Sequence, residues 1–265
     1  MEIIIKMPHE FDGKKYTKTS THQREWGKRL ISELDLSGYE SILDLGCGDG
    51  FLTTLLAEQV PDGYVTGIDA SNGMIEIAKQ HQMPNLAFCS KDINELDYSS
   101  EFDLIFSNAT LHWVQDHKTL LHNCHRALKP GGKIRFNFAA DGNCSNFNEK
   151  ALALMGESRF SKHFAEFHWP WYMPELDKYA RLAIDSEFRE VKVWGENLDR
   201  YFPSVEAMVG WIDQPSIVPF LQVIDEATDK KAFRDELVSR MIDSTRQSDG
   251  TRFETFRRIN ISAVK

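Results

Sequence analysis

The segment Asp44-Leu45-Gly46-Cys47-Gly48-Asp49-Gly50 follows a short apolar run, SILDL (41–45), and precedes FLTTLLAEQV (51–60), which has helical periodicity. Glycines at this spacing let the chain turn sharply and let a ligand approach bare backbone. The first N–H groups of the next helix are open to a negative group such as a carboxylate. The spacing bears on which ligand is meant. A dinucleotide loop asks for G-x-G-x-x-G. Here the last position of that pattern falls on Phe51, and the third glycine comes one residue early, at Gly50, with Asp44 ahead of the loop. Asp69 closes a second β-rich run, YVTGID (64–69), where a carboxylate can accept both hydrogen bonds of a ribose diol. Asp92 ends LAFCSKD (86–92), placed to meet an adenine amino group. Three acids at successive strand ends, a glycine loop and no P-loop lysine describe a nucleoside site without a phosphate partner. Each acid also has a plainer reading: Asp44 and Asp92 as turn formers, Asp69 as a helix N-cap.

These residues need elements to hold them. Residues 20–36 space Trp26, Leu30 and Leu34 as an amphipathic helix, and NGMIEIAKQHQ (72–82) reads as another. FDLIFSNA (102–109) is a fourth strand, HKTLLHNCHRALK (117–129) a helix, and Pro130-Gly131-Gly132 turns the chain into a fifth strand, KIRFNFAA (133–140). Strands alternating with helices predict a doubly wound α/β sheet with parallel neighbours and ligand loops at the strands' carboxyl ends. After residue 141 the rhythm breaks. EVKVWGENLDRYF (190–202) and RFETFRRINISAVK (252–265) read as strands, with mostly helical chain over 204–247. Phe164, Phe167, His168, Trp169, Trp171 and Tyr172 form a dense aromatic run, either core of a cap or lining of an apolar pocket.

The formal net charge of −9 and pI near 5.5 argue against a partner gripped through phosphates, so no nucleic-acid role is expected. Cys47, Cys89, Cys124 and Cys144 form no CxxC pair, which predicts reduced thiols and no metal site. No apolar run approaches a signal core or a membrane span, so a cytoplasmic protein with no membrane partner is expected.

DLGCGDG, GID with Asp69, KD with Asp92, the LKPGG turn and SNATLHWV together resemble class I S-adenosylmethionine-dependent methyltransferases. SNATLHWVQDH (107–117), MVGWIDQPSIVPFL (208–221) and RINISAVK (258–265) are similar to trans-aconitate 2-methyltransferases in particular, and the region around LHWVQD also to insect juvenile hormone acid methyltransferases. The resemblance implies a Rossmann-like seven-stranded sheet, mostly parallel with the last strand antiparallel, under a helical cap. It also implies S-adenosyl-L-methionine as cofactor and methyl ester formation on a carboxylate such as trans-aconitate. It divides the chain into an N-terminal helical lid (1–37), a cofactor-binding core (38–145), cap insertions (146–189 and 203–250) and final sheet strands (190–202 and 251–265). Matched to the family's motifs, Asp44, Gly46, Cys47 and Gly48 cradle the methionine part. Asp69 and Ala70 meet the ribose, Met74 lies against the adenine, Asp92 and Ile93 clamp it, and Asn108 faces the methionine backbone. Tyr16, Gln23 and Trp26 match a lid. The sequence departs from the pattern before Trp113, where His112 replaces an aromatic residue or Gln.

A carboxylate acceptor, ionised at pH 7, needs no base, whereas a phenol or amine would draw on His112. His112 and Trp113 are thus the catalytic candidates, with the plainer reading that both are packing residues; Trp113 or Tyr16 would present an aromatic face to a cation. Arg200, Arg252, Arg257 and Arg258 are candidates for holding an acid's charges. Other readings are an O-, N- or C-methyltransferase of a biosynthetic pathway, a non-catalytic binding module, and, more distantly, an NAD-dependent dehydrogenase. The expected partner is a small-molecule acceptor, and the expected assembly a monomer or homodimer.

Overall fold

The computed structural model describes residues 21–265, without the side chains of residues 21, 22, 214 and 215. Tyr16 and most of the expected lid lie outside the described residues. Chain order begins with α1 (Thr21–Ser32), β1 (Ser41–Leu45), α2 (Phe51–Gln59), β2 (Tyr64–Asp69), α3 (Asn72–Ala78), β3 (Leu86–Ser90), β4 (Phe102–Asn108), α4 (His117–Ala127) and β5 (Leu128–Ala139). It continues with α5 (Ser145–Met155), α6 (Leu176–Ile184), β6 (Arg189–Asn197), β7 (Arg200–Phe202), α7 (Val205–Trp211), α8 (Val218–Gln222), α9 (Ala227–Ser244), β8 (Arg252–Glu254) and β9 (Arg257–Val264).

Seven strands form one sheet in the order β3-β2-β1-β4-β5-β9-β6. The pairs from β3 to β5 are parallel, and β9 runs antiparallel between β5 and β6. Strand β1 is buried almost end to end, as a central strand covered on both faces must be. One face carries Leu30 and Ile31 of α1 with Leu56 and Ala57 of α2, packed on Ile42, Val65, Leu104 and Phe106. The other carries Leu120, Leu121 and Cys124 of α4 with Tyr179 and Ala183 of α6, packed on Leu43, Ile105, Phe136 and Ile261.

Two strands read as continuous in sequence are broken in space. The backbone turns at Leu198 and Asp199, where Leu198 N donates to Phe256 O (2.7 Å) and Asp199 Oδ1 accepts Phe256 N (3.0 Å) and pairs with Arg257. A carboxylate that binds a backbone N–H competes with the ladder and ends it. Residues 200–202 and 252–254 therefore leave the main sheet and pair as a separate β7–β8 ribbon below the cap. The segments 190–202 and 251–265, expected wholly as sheet strands, give only β6 and β9 to the sheet.

The cap has its own core, in which the Phe220 ring meets Phe147 (centroids 5.8 Å), Phe167 (5.2 Å) and Trp171 (5.9 Å), and Phe164 meets Phe233 (5.2 Å). The aromatic run thus divides. Phe164 is cap core, Tyr172 packs on His117 (4.6 Å), His168 is exposed, and Trp171 also reaches a cleft between cap and sheet. Among the described residues no helix is long and apolar enough to cross a membrane.

Candidate active site

The cleft opens where the parallel strands end. After β1 the chain takes positive φ at Gly46 (+72°) and Gly50 (+80°). A Cβ on Gly46 would fall 2.0 Å from Thr110 Cγ2, and one on Gly50 2.7 Å from Phe88 Cζ, so packing as well as conformation demands glycine. The loop is pinned by Gly46 N and Cys47 N, both donating to Ile68 O (2.8 and 2.9 Å). Asp69 ties two loops together, because Oδ2 accepts Gly48 N (3.0 Å) and Oδ1 accepts Ser71 N (2.9 Å). The N-cap of α3 is Ser71, whose Oγ accepts Met74 N. Asp69 is therefore not that cap, and its carboxylate borders the cleft beside Ala70 and Met74. Asp92 caps a single 3-10 turn, with Oδ1 accepting Asn94 N (2.8 Å), and lines the cleft with Ile93.

Three expected ligand residues stand behind the wall instead of on it. Cys47 is buried against Ile75, Ala78 and Phe88. Asn108 donates its amide to Gln23 O (2.9 Å), which fastens α1 over the end of β4. Asp44 is fully buried beneath the loop, its Oδ2 accepting the Thr53 hydroxyl (2.7 Å). Their backbone or their neighbours touch the cleft, because a strand alternates its side chains and the loop turns away from these three.

Burial pushes the Asp44 carboxyl up to about 7, opposed by the Thr53 hydroxyl and reinforced by the charge of Asp69. The folded chain then keeps a proton that the unfolded chain, with its carboxyl near 3.8, has released. The stability contributed by Asp44 is thus full below about pH 4 and lost as pH rises through about 7. Asp44→Asn keeps an oxygen for Thr53 and cannot ionise. Relative to the parent it should gain roughly 5 °C in Tm between pH 5 and pH 8. Melts of both proteins at the two pH values test this, and a difference that stays constant across the range refutes it.

The cleft also carries a cluster of aromatic rings in contact with one another. Trp26 comes from α1, Trp113 from a 3-10 turn (Leu111–Trp113), Phe147 from α5, Trp171 from the cap loop, Trp211 from the end of α7, and Phe256 from the approach to β9. The 3-10 turn is held from below by His117, whose Nε2 donates to Leu111 O (3.0 Å) while Nδ1 accepts the Tyr179 hydroxyl (3.1 Å). Burial holds the His117 imidazole down at about 4. His112 sits half-buried on that turn. Its Nδ1 has no hydrogen-bond partner among the described residues, and burial, followed by the charges of Arg258 and His117, keeps it well below the usual histidine range. His112 is therefore neutral at pH 7.

Of the four candidate arginines only Arg258 reaches the cleft, and it is the one Lys or Arg among the described residues lining it. Arg200 pairs with Glu25 and Arg257 with Asp199, while Arg252 donates to Gly250 O (2.6 Å) and Thr251 O (3.2 Å). Arg258 is buried, with its guanidinium 4.9 Å from the Trp26 ring centroid and Nε donating to Asn137 Oδ1 (2.8 Å). Asn137 donates in turn to Asn260 Oδ1 (3.0 Å), which also receives Arg135 (3.0 Å), and Asn260 donates to Glu196 (2.7 Å). Glu196 pairs with Arg29 of α1, and Arg135 with Glu33 of α1 (2.7 Å). One buried polar network thus orients Arg258 and pins the helix that carries Gln23 and Trp26.

Residues 42–132 match the family model described as a methyltransferase domain. The chain is 33% identical to the trans-aconitate 2-methyltransferase of Deinococcus radiodurans over 71% of its own length and 74% of that protein's. The chain belongs to the class I S-adenosylmethionine-dependent methyltransferases. It is 28% identical to the trans-aconitate 2-methyltransferase of an Azoarcus strain over 82% of this chain and 83% of that one. It is 29% identical to the malonyl-[acyl-carrier protein] O-methyltransferase of Priestia megaterium over 77% of each. The fold is shared with Haemonchus contortus phosphoethanolamine N-methyltransferase 2 in complex with S-adenosyl-L-methionine (TM-score 0.61, 17% identity, 96% of this chain and 56% of that one).

This methyltransferase therefore uses S-adenosylmethionine, and the part of the cleft at the strand ends fits it. The fit rests on a glycine loop with positive φ at the end of β1, two carboxylates at strand ends that line the cleft, and the buried Gln23 Oε1, which has no hydrogen-bond partner among the described residues. Sequence reasoning missed Phe147, Trp211 and Phe256. A signal existed for Trp211 alone, which lies within the resemblance at 208–221.

Proposed function

We propose that this methyltransferase moves the methyl group of S-adenosylmethionine to a carboxylate oxygen of a small acid and releases a methyl ester. The observation that carries the reading is Arg258, a buried cation in a cleft that also holds six aromatic side chains from α1, the cap and the approach to β9. A guanidinium there favours an anionic acceptor through charge-assisted hydrogen bonds and repels an ammonium one. The malonyl and aconitate names of the relatives both denote carboxylic acids.

Bound S-adenosylmethionine supplies a methyl group on a sulfonium, which needs only an aligned nucleophile. Gly46 and Gly48 would receive its methionine part. Gln23, whose Oε1 is buried at the cleft, suits its ammonium. Asp69 beside Ala70 would accept the ribose hydroxyls, with Met74, Asp92 and Ile93 around the adenine. Arg258 would hold one acceptor oxygen and leave the other for attack. Trp113 forms the wall beside the transfer point and shields it from water. Because the carboxylate arrives ionised, no group has to take its proton.

His112 then has a positioning role only. His112→Phe should leave kcat/KM for ester formation within about threefold of the parent, whereas loss of a general base costs ~100-fold or more. Titration with S-adenosylhomocysteine followed by an acid screen tests the whole reading. Cofactor binding with esterification supports it, and cofactor binding with transfer only to hydroxyl or amine acceptors refutes it.

A further inference from the structure

Asn143 stands in the loop between β5 and α5, lines the cleft and is only 5% exposed. Its backbone is fully engaged, with N donating to Ala140 O (3.1 Å) and O accepting Asn148 Nδ2 (3.0 Å). The chain on either side is fixed as well. Ala140 N donates to Arg257 O (2.9 Å) and Cys144 N to Thr255 O (2.8 Å). Glu254 accepts Asn146 N (3.1 Å) and Phe147 N (2.9 Å), so the start of α5 is satisfied from within. The Asn143 carboxamide is served far less well. Nδ2 donates to Cys144 Sγ (3.0 Å), a weak acceptor, and Oδ1 has no hydrogen-bond partner among the described residues. A buried acceptor left unpaired on a rigid loop destabilises the free site, and a ligand group that pairs it gains more than one that merely replaces water.

Position tells which ligand that is. Asn143 follows β5, which lies three strands from β2, where Asp69 stands, and four from β3, which leads to Asp92. At the usual strand spacing these separations are roughly 14 and 19 Å. Arg258, by contrast, sits on the neighbouring strand β9 opposite Ala139, just ahead of this loop. Resting on the ester-forming reading, we infer that Asn143 is a specificity-determining residue whose Oδ1 accepts a hydrogen bond from a neutral donor, a hydroxyl or an amide N–H, carried by the carboxylic acid acceptor. An amine would bring its N–H groups as a cation toward Arg258 and is disfavoured.

The test compares kcat/KM within pairs of acids that differ in the donor alone, with S-adenosylhomocysteine release as readout. Malate against succinate and 3-hydroxybutyrate against butyrate probe the hydroxyl. N-acetylglycine against its methylene isostere levulinate probes the amide N–H. In at least one pair the acid with the donor should exceed its partner about tenfold. Asn143→Leu keeps the volume and removes the acceptor. It should abolish that excess, while turnover of the donor-free partner and S-adenosylhomocysteine affinity stay within about threefold of the parent. Asn143→Ala should do the same and serves should leucine disturb the loop. Equal turnover within every pair by the parent overturns the inference and leaves ester formation intact. Variants that slow both members of a pair alike, or that weaken S-adenosylhomocysteine binding, overturn it too, because Asn143 would then serve the loop or the cofactor. No ester from any acid, with S-adenosylhomocysteine bound, overturns the ester reading and this inference with it.

Discussion

Asp69→Ala should weaken S-adenosylhomocysteine binding by about 100-fold, the equivalent of two hydrogen bonds to a charged acceptor. The loss has two sources. The ribose hydroxyls lose their acceptor, and Gly48 N and Ser71 N lose theirs, so the loops after β1 and β2 are no longer tied to one carboxylate. Asp69→Asn separates the two, because the amide keeps one oxygen for a loop N–H but carries no charge. A loss near tenfold is expected for it. Calorimetric titration of the three proteins, each shown folded by its melt, decides the matter. Unchanged affinity in Asp69→Ala would remove Asp69 from the site.

Arg258→Met keeps most of the side-chain volume and deletes the charge. It should lower kcat/KM for ester formation by about 1,000-fold, in the range expected when one partner of a buried charge pair is removed. The same variant should bind S-adenosylhomocysteine within about threefold of the parent, since Arg258 lies on the acceptor side. Its structural cost is separable. Asn137 Oδ1 loses the Nε donor, and an unsatisfied buried acceptor costs on the order of 1–3 kcal/mol. Arg258→Lys restores the charge without the planar fork and should recover only part of the rate. If Arg258 were merely structural, cofactor affinity and turnover would fall together with the folded fraction, and Arg258→Lys would correct both.

The part of the cleft at the strand ends is legible in the sequence because it is built locally. Gly46, Gly48, Asp69 and Asp92 each lie within a few residues of a strand end, and the strand–loop–helix alternation that places them repeats along residues 41–140. Local reading erred where a side chain's direction mattered. Asp44, Cys47 and Asn108 share the motif, yet they turn into the protein to support the loop, packed against Thr53, Phe88 and α1. It erred again at 198–199 and 255–256, where one carboxylate, Asp199, ends two apparently continuous strands by binding a partner far away in the chain.

By itself the sequence determined the parallel α/β core, the nucleoside-type loop and the methyltransferase resemblance. Each rests on hydrophobic period, glycine conformation and short-range spacing, which a chain carries in its own order. Only the tertiary structure decided which of four equivalent-looking arginines lines the cleft. Strand β9 enters antiparallel between β5 and β6, so its beginning lies beside the end of β5, with Arg258 opposite Ala139 and Glu196. Arg258 lies over Trp26 there, and the same cleft is lined by Trp113, Phe147 and Trp211 from segments spread across the chain. A wall made of residues so far apart in sequence has no local pattern, because it exists only once burial of the sheet and of the cap core has brought those segments together.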